Sequence, residues 1–156
     1  MVLADDKPSA TVSSMTPRPY KIVFLCIHNA GRSQMARWFF NQMADPNIAR
    51  AVSCGTDPIP LVHPEVIEVM RELRVDLVGE RPRLLTDEIT ANATLIVSMG
   101  CGDQCPTVPG AEQIEWDFPD PKGQPIEVVR RIRDEIRAKV RELVESRYWA
   151  KQPINA

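Results

Sequence analysis

The sequence predicts an α/β domain: a small, doubly wound, four-stranded parallel sheet flanked by helices. Three observations carry that expectation. The runs Ile22–Cys26 and Thr94–Ser98 are short, continuous and apolar, the pattern of strands covered on both faces. Segments with apolar residues at helical spacing stand between and after them. Strands that alternate with helices are joined by crossovers, and crossovers make parallel sheets. At 156 residues the chain is about one domain. That length buries enough surface to hold a core without disulfide staples.

Residues 1–19 contain Pro8, Pro17 and Pro19, three serines and two threonines, with no apolar period. They are expected to form a disordered head, with the domain at 20–150 and a tail at 151–156. The first strand breaks at His28–Gly31. From Ser33 to Met43, apolar residues at 35/36, 39/40 and 43 predict a helix. Trp38, Phe39 and Phe40 are expected in the core or at its rim. Ala49–Ser53, closed by Gly55, is a weaker strand. His63-Pro64-Glu65 reads as a helix start whose inner face is Val66, Ile67, Met70 and Leu73. Gln113–Trp116 is a short last strand. Pro125 opens a long helix with Ile126, Val129, Ile132, Ile136, Val140 and Leu143 on one stripe. The basic residues from Arg130 to Arg147 alternate with acids and read as a solvated face.

Composition narrows the function. The net charge of −2 argues against a nucleic-acid footprint. The longest apolar run, Ile22–Ile27, is six residues, far short of the ~20 that span a bilayer. Asp5, Asp6 and the lack of an apolar block before Lys21 argue against a signal peptide, so a cytoplasmic protein is expected. Four cysteines, Cys26, Cys54, Cys101 and Cys105, are too few and too uneven for a secreted disulfide framework. In a reducing compartment they are buried apolar residues, metal ligands or reactive thiols.

The segment Cys26-Ile27-His28-Asn29-Ala30-Gly31-Arg32-Ser33 lies between a buried strand and a helix start. Five residues between Cys26 and Arg32 can wrap a half-circle whose backbone N–H groups converge on one oxyanion. The following helix aims its positive end at the same point. The Cys26 sulfur at the floor of this cradle is expected as a thiolate, favoured by the dipole, the N–H groups and Arg32. Arg32 can grip two oxygens in a bidentate fork, and Ser33 can donate its hydroxyl to the sulfur. Asn29 and Gly31 suit a tight, left-handed backbone. His28 either tunes the sulfur or fills the loop.

Cys26 to Ser33, continued by Gln34-Met35-Ala36, resembles the low-molecular-weight protein tyrosine phosphatase superfamily, and its wording is most similar to the arsenate reductases. The resemblance covers about residues 20–148. It extends to Ser53-Cys54-Gly55-Thr56, His63-Pro64, Met99 to Pro106, and Asp120-Pro121. It implies the same four-stranded fold. It also implies Asp120 as the general acid that protonates the oxygen leaving when Cys26 attacks; Asp117 is the competing candidate. Potassium-binding members usually carry Glu where this chain has Arg37, so the resemblance does not carry a potassium site.

The activity implied is reduction of arsenate to arsenite. That takes two electrons, which one thiol cannot supply, so a second thiol must attack the Cys26 sulfur. Cys101 follows the third strand, which in this fold lies beside the first. Cys105, four residues on, falls within disulfide range if the segment turns. Gly100 and Gly102 give it freedom to rearrange. The expected relay runs from Cys26 to Cys101 to Cys105 and out to thioredoxin. Neither a cofactor nor a metal is expected: a Cys-x3-Cys pair needs two more ligands, and Cys54 with His28 or His63 is a poor supply. Cys54 is expected to be buried and inert. The expected ligands are arsenate, and phosphate or sulfate in the same loop.

Three rivals remain. A tyrosine phosphatase would use the same Cys26, Arg32 and Asp120. Its usual tyrosines after the Asp-Pro pair are replaced here by Lys122-Gly123-Gln124. A reductase served by a low-molecular-weight thiol and a glutaredoxin-like protein would need only Cys26. A silent oxyanion-sensing module would need no chemistry at all.

Overall fold

The structure is a computed structural model that describes residues 19–102 and 105–152. The expected disordered head lies outside the described residues except for Pro19, and the expected tail except for Lys151 and Gln152. The chain runs β1 (Tyr20–Cys26), α1 (Arg32–Met43), β2 (Ala49–Gly55), α2 (Pro64–Arg71), α3 (Asp87–Thr90), β3 (Ala93–Ser98), β4 (Glu112–Glu115) and α4 (Ile126–Ser146). The four strands form one parallel sheet in the order β2-β1-β3-β4. The chain winds outward from β1 to β2 on one side, then returns to place β3 on the other. The winding reverses at β1, and in open α/β sheets ligands sit outside the carboxyl ends at such a switch point. Cys26 is the last residue of β1.

Burial explains why both runs read as continuous apolar strands. Ile22, Phe24 and Cys26 of β1 and Leu95 and Val97 of β3 face one core, built with Phe39 and Phe40 of α1, Val66 and Met70 of α2, and Ile132 and Ile136 of α4. The alternate residues, Val23 and Leu25 of β1 and Ile96 of β3, face a smaller second cluster that contains Cys54 and Cys101. That second face is covered by thin material: Ile89 of the one-turn α3, and Leu85, Val108 and Ala111 from loops. Each fully buried Phe or Leu contributes about 1.5–3 kcal/mol relative to exposure, so the large core on the α1/α2/α4 face dominates stability.

Two details depart from the sequence reading. On α2 the buried residues are Val66, Val69 and Met70; Ile67 packs only partly buried against the core, as does Leu73, which lies beyond the end of the helix at Arg71. The basic face of α4 is not wholly solvated, because Arg133 is buried. Its guanidinium donates to the Val69 carbonyl at 2.8 Å, to Glu72 at 2.7 Å and to Asp134 at 2.8 Å. A guanidinium with five donors can cross an α2–α4 interface if each donor finds an acceptor, and periodicity does not reveal that.

Candidate active site

The segment after β1 folds into a loop in which every carbonyl from Cys26 to Gly31 accepts a hydrogen bond. The carbonyls of Cys26, Ile27, His28 and Ala30 accept the amides of Thr56, Asp57, Ile59 and His63, at 3.1, 2.8, 3.4 and 3.0 Å. The Asn29 carbonyl accepts Gln34 Nε2 at 3.1 Å, and the Gly31 carbonyl accepts the Met35 amide at 3.0 Å. Six successive carbonyls are thus each held by a donor, which pins the backbone of the loop. The Asn29 N–H donates to Cys26 Sγ at 3.2 Å.

Asn29 adopts the left-handed conformation expected of it, with φ of 52°. Gly31 does not: it is the α1 N-cap at φ −148°, and it is glycine for room. A Cβ there would lie 3.0 Å from Pro121. Gly55, opposite Cys26 in the sheet, has a similar use, since a Cβ would meet the Ile27 carbonyl at 2.5 Å and Asn29 N at 3.0 Å. The helix start at Gly31 has no side-chain cap and no acid in its first turn. Its free N–H groups and positive end face the loop, an arrangement that suits an oxyanion as the cap.

Cys26 Sγ lies 2.8 Å from Ser33 Oγ and is buried, with 3 % of the residue exposed. Arg32 is almost fully enclosed. Its Nη1 donates to the Phe118 carbonyl at 2.9 Å, and its Nη2 lies 3.9 Å from Asp120 Oδ2. Gly100, at φ 96°, packs against this guanidinium; any Cβ there would collide with it. Asp120 stands at the mouth with its side chain 45 % exposed, its Oδ1 accepting the Lys122 amide at 3.0 Å. The competitor Asp117 is exposed, and no ion pair links it to Arg32. His63, buried beside Gly31, is held below its ordinary pKa chiefly by burial, against the opposing pull of Asp120 and Glu65. His28 Nδ1 contacts the Asp57 carbonyl at 2.9 Å, which ties the ring to the β2–α2 segment.

Met99 N–H donates to the Leu25 carbonyl at 2.7 Å, so the segment after β3 leaves the sheet beside Cys26. Cys101 and Cys105 are bridged by a disulfide, with Cα atoms 5.4 Å apart. Cys26 and Cys54 are free. Cys54 faces the second cluster, on the other side of the sheet from Cys26. Burial pushes its thiol up to about 12, so it stays protonated and inert at neutral pH. Among the described residues no group of three His, Cys, Asp or Glu is placed to hold a metal.

Residues 21–152 match the low molecular weight phosphotyrosine protein phosphatase family. The chain belongs to that family. Among its relatives, arsenate reductase 1 of Bacillus cereus is 35% identical over 130 residues, 80% of this chain and 94% of that protein. The glutaredoxin arsenate reductase of Synechocystis is 32% identical over 127 residues, 80% of this chain and 95% of that protein. The structure of a thioredoxin-dependent arsenate reductase from Corynebacterium glutamicum superposes with a TM-score of 0.69 at 32% identity, covering 88% of this chain and 66% of that one.

Within this phosphatase-family site, the loop residues Cys26, Asn29, Arg32 and Ser33 converge as the spacing requires. Asp120 joins them through Arg32, and the Cys101/Cys105 pair sits beside the same strand end. Four contributions go beyond the sequence reading, which gives Gly100 only as a source of conformational freedom and names Gly55 and Gln34 without these roles. Phe118 contributes only a carbonyl. Gly55 and Gly100 contribute only empty space. Gln34, with 2 % exposure, bonds the Asn29 backbone and looks like an ordinary helix residue. The Gly-Cys-Gly pattern at 100–102 was a usable signal for Gly100. A backbone carbonyl carries none.

Proposed function

We propose that this protein reduces arsenate to arsenite by a three-thiol relay and that thioredoxin returns it to the reduced state. The observation that carries this reading is the Cys101–Cys105 bridge placed beside the strand that delivers Cys26. Phosphoester hydrolysis at Cys26 has no use for a second and third thiol. Arsenate reduction does.

Arsenate occupies the loop, its oxygens held by the loop's amides and the Arg32 fork. The Cys26 sulfur attacks arsenic while Asp120 gives its proton to the departing oxygen, which leaves as water. A thiolate at Cys101 then attacks Cys26 Sγ. The S–As bond breaks with its electron pair going to arsenic, As(V) becomes As(III), and a Cys26–Cys101 disulfide forms as arsenite departs. Cys105 attacks Cys101 next, which frees Cys26 and leaves the Cys101–Cys105 bridge. A dithiol donor reduces that bridge. The relative named for glutaredoxin keeps a second donor in view. The cysteine pair favours a dithiol protein such as thioredoxin, because a bridge between neighbours is the form such donors attack.

The test is arsenate-dependent NADPH consumption. With thioredoxin and its reductase, steady turnover is expected; with a low-molecular-weight thiol and glutaredoxin, activity near background. The reverse ranking overturns the thioredoxin assignment. Hydrolysis of aryl phosphate without arsenate turnover in either system overturns the reductase reading.

A further inference from the structure

The loop that carries Asp120 is held at its front by packing and at its back by one hydrogen bond. Phe118 packs edge-on against Trp116 with ring centroids 6.3 Å apart, and its carbonyl accepts Arg32 Nη1 at 2.9 Å. Pro121 is buried beside Gly31. Beyond it the chain turns: the Gln124 N–H donates to the Pro121 carbonyl at 3.1 Å, with Gly123 at φ 72°. Lys122, Gly123 and Gln124 are all exposed, so packing does not fix this turn. The Gly123 N–H donates to Glu65 Oε2, in the first turn of α2, at 2.9 Å. Among the described residues, that is the one hydrogen bond that leaves the 121–124 turn for another element.

The turn matters because it orients the Asp120 carboxyl. Asp120 Oδ1 accepts the Lys122 N–H at 3.0 Å, the aspartate turn in which a side chain binds the amide two residues on. With Oδ1 so engaged, Oδ2 is the oxygen left toward Arg32, at 3.9 Å. The Lys122 amide is one peptide away from Gly123. Wherever the turn moves, the donor that sets the Asp120 carboxyl moves with it. Glu65 and Asp120 also act on one ring: burial lowers the His63 pKa, and both carboxylates oppose it.

We infer that Glu65 is a positioning residue for the general acid: its carboxylate ties the Gly123 amide and so fixes the turn whose Lys122 amide aims Asp120 at the leaving oxygen. It acts through the turn, not on the substrate. The inference rests on the reading of Asp120 as the acid. The tether needs an acceptor oxygen and not a charge, so Gln can serve in its place and Ala cannot. Because Pro121 and Phe118 still hold the front of the loop, losing the tether misplaces the acid part of the time and leaves the oxyanion loop intact.

The test is single-turnover formation of the Cys26 adduct by the reduced Cys101→Ser protein, followed by intact mass at rising arsenate concentration. Adding Glu65→Ala is expected to lower the limiting rate about 3–10-fold, the weight of one hydrogen bond, and to leave half-saturation within about twofold. Glu65→Gln should restore the rate to within about twofold. In an Asp120→Asn background, Glu65→Ala should have no further effect. The Gly123 amide reads the tether without any chemistry: its hydrogen exchange should be several-fold faster in Glu65→Ala and near wild type in Glu65→Gln. A Gln variant as slow as the Ala variant would show that the charge acts through space and would overturn the inference. So would a full-sized effect in the Asp120→Asn background, a loss confined to half-saturation, or unchanged exchange at Gly123. If Cys26 takes up no arsenic, or Asp120→Asn alone costs nothing, the reading of the site is what fails, and the exchange rates still decide for or against the tether.

Discussion

The two loops that meet at the carboxyl end of the sheet are built in opposite ways. The loop at 26–33 is pinned along its whole length: every carbonyl from Cys26 to Gly31 has a donor, and Asn29 is bonded through both its backbone and its amide. In the segment after β3, Met99 N–H is held by the Leu25 carbonyl, Gly100 and Gly102 are both at positive φ, the Cys105 amide bonds the Gly102 carbonyl at 3.2 Å, and a disulfide joins Cys101 to Cys105. Its cysteines belong to the thinly covered cluster on the far face, away from the Cys26 side. Anion binding requires donors that do not move as charge develops, whereas in the proposed relay the Cys101 sulfur has to reach Cys26 and then return to Cys105. The contrast teaches that the loop at 26–33 is held by hydrogen bonds along its length, whereas the described residues of the neighbouring segment combine two glycines at positive φ with a bridge that a reductant can open.

The sharpest way to break that comparison is to remove the moving sulfur. Cys101→Ser should abolish multiple turnover with thioredoxin and stop before arsenite release, with arsenic held on Cys26; intact-mass analysis and arsenite release measure both. Steady turnover in that variant would mean that the Cys101 segment takes no part in the reaction. On the rigid side, Asp120→Asn should slow formation of the Cys26 adduct about 10²–10⁴-fold with oxyanion binding almost intact. Single-turnover kinetics with phosphate as competitor reads the two effects separately. If Asp117→Asn shows that loss instead, the acid has been misassigned.

A smaller effect probes the contact between the loops. Gly100→Ala puts a methyl group into the Arg32 guanidinium and strains a positive φ. Phosphate inhibition should weaken about 10-fold, roughly the loss of one bidentate partner's alignment. An unchanged inhibition constant would show that Arg32 does not need the second loop's glycine.

Smallest is an effect remote from both loops. Glu72, bonded by Arg130 and Arg133, has its carboxyl lowered to about 2 from 4.5. Because the folded value lies below the unfolded one, the α2–α4 contact is fully stabilising above about pH 4.5 and is lost as the pH falls toward 2. Glu72→Gln should flatten the thermal-stability profile in that window and leave it unchanged at pH 7 apart from a constant offset. A profile of unaltered shape would contradict the pairing.

How much of this was legible follows from how local each signal is. The strand–loop–helix unit around Cys26 is written in consecutive residues, so its place and its anion-holding logic could be read directly. Asn29's left-handed turn followed from its residue type, whereas Gly31's role did not, because its small size matters to Pro121, ninety residues away in the chain. A buried guanidinium leaves the same periodicity as an exposed one, so the sequence places Arg133 on a solvated face, and only the Val69 carbonyl and Glu72 show otherwise. Four of the six pinned carbonyls depend on the 56–63 segment, whose sequence gives no hint of the amides it supplies. Long-range backbone contacts built the rigid loop, and those are what a sequence conceals.

The central claim is that the three thiols act in the order Cys26, Cys101, Cys105. It is tested most directly by giving the reduced protein one equivalent of arsenate and mapping its disulfides by mass spectrometry, alongside Cys105→Ser. The wild type should end with a Cys101–Cys105 bridge and a free Cys26. Cys105→Ser should release one arsenite and accumulate a Cys26–Cys101 disulfide. A Cys26–Cys105 disulfide in the wild type, or full multiple turnover by Cys105→Ser with thioredoxin as sole donor, would contradict the relay.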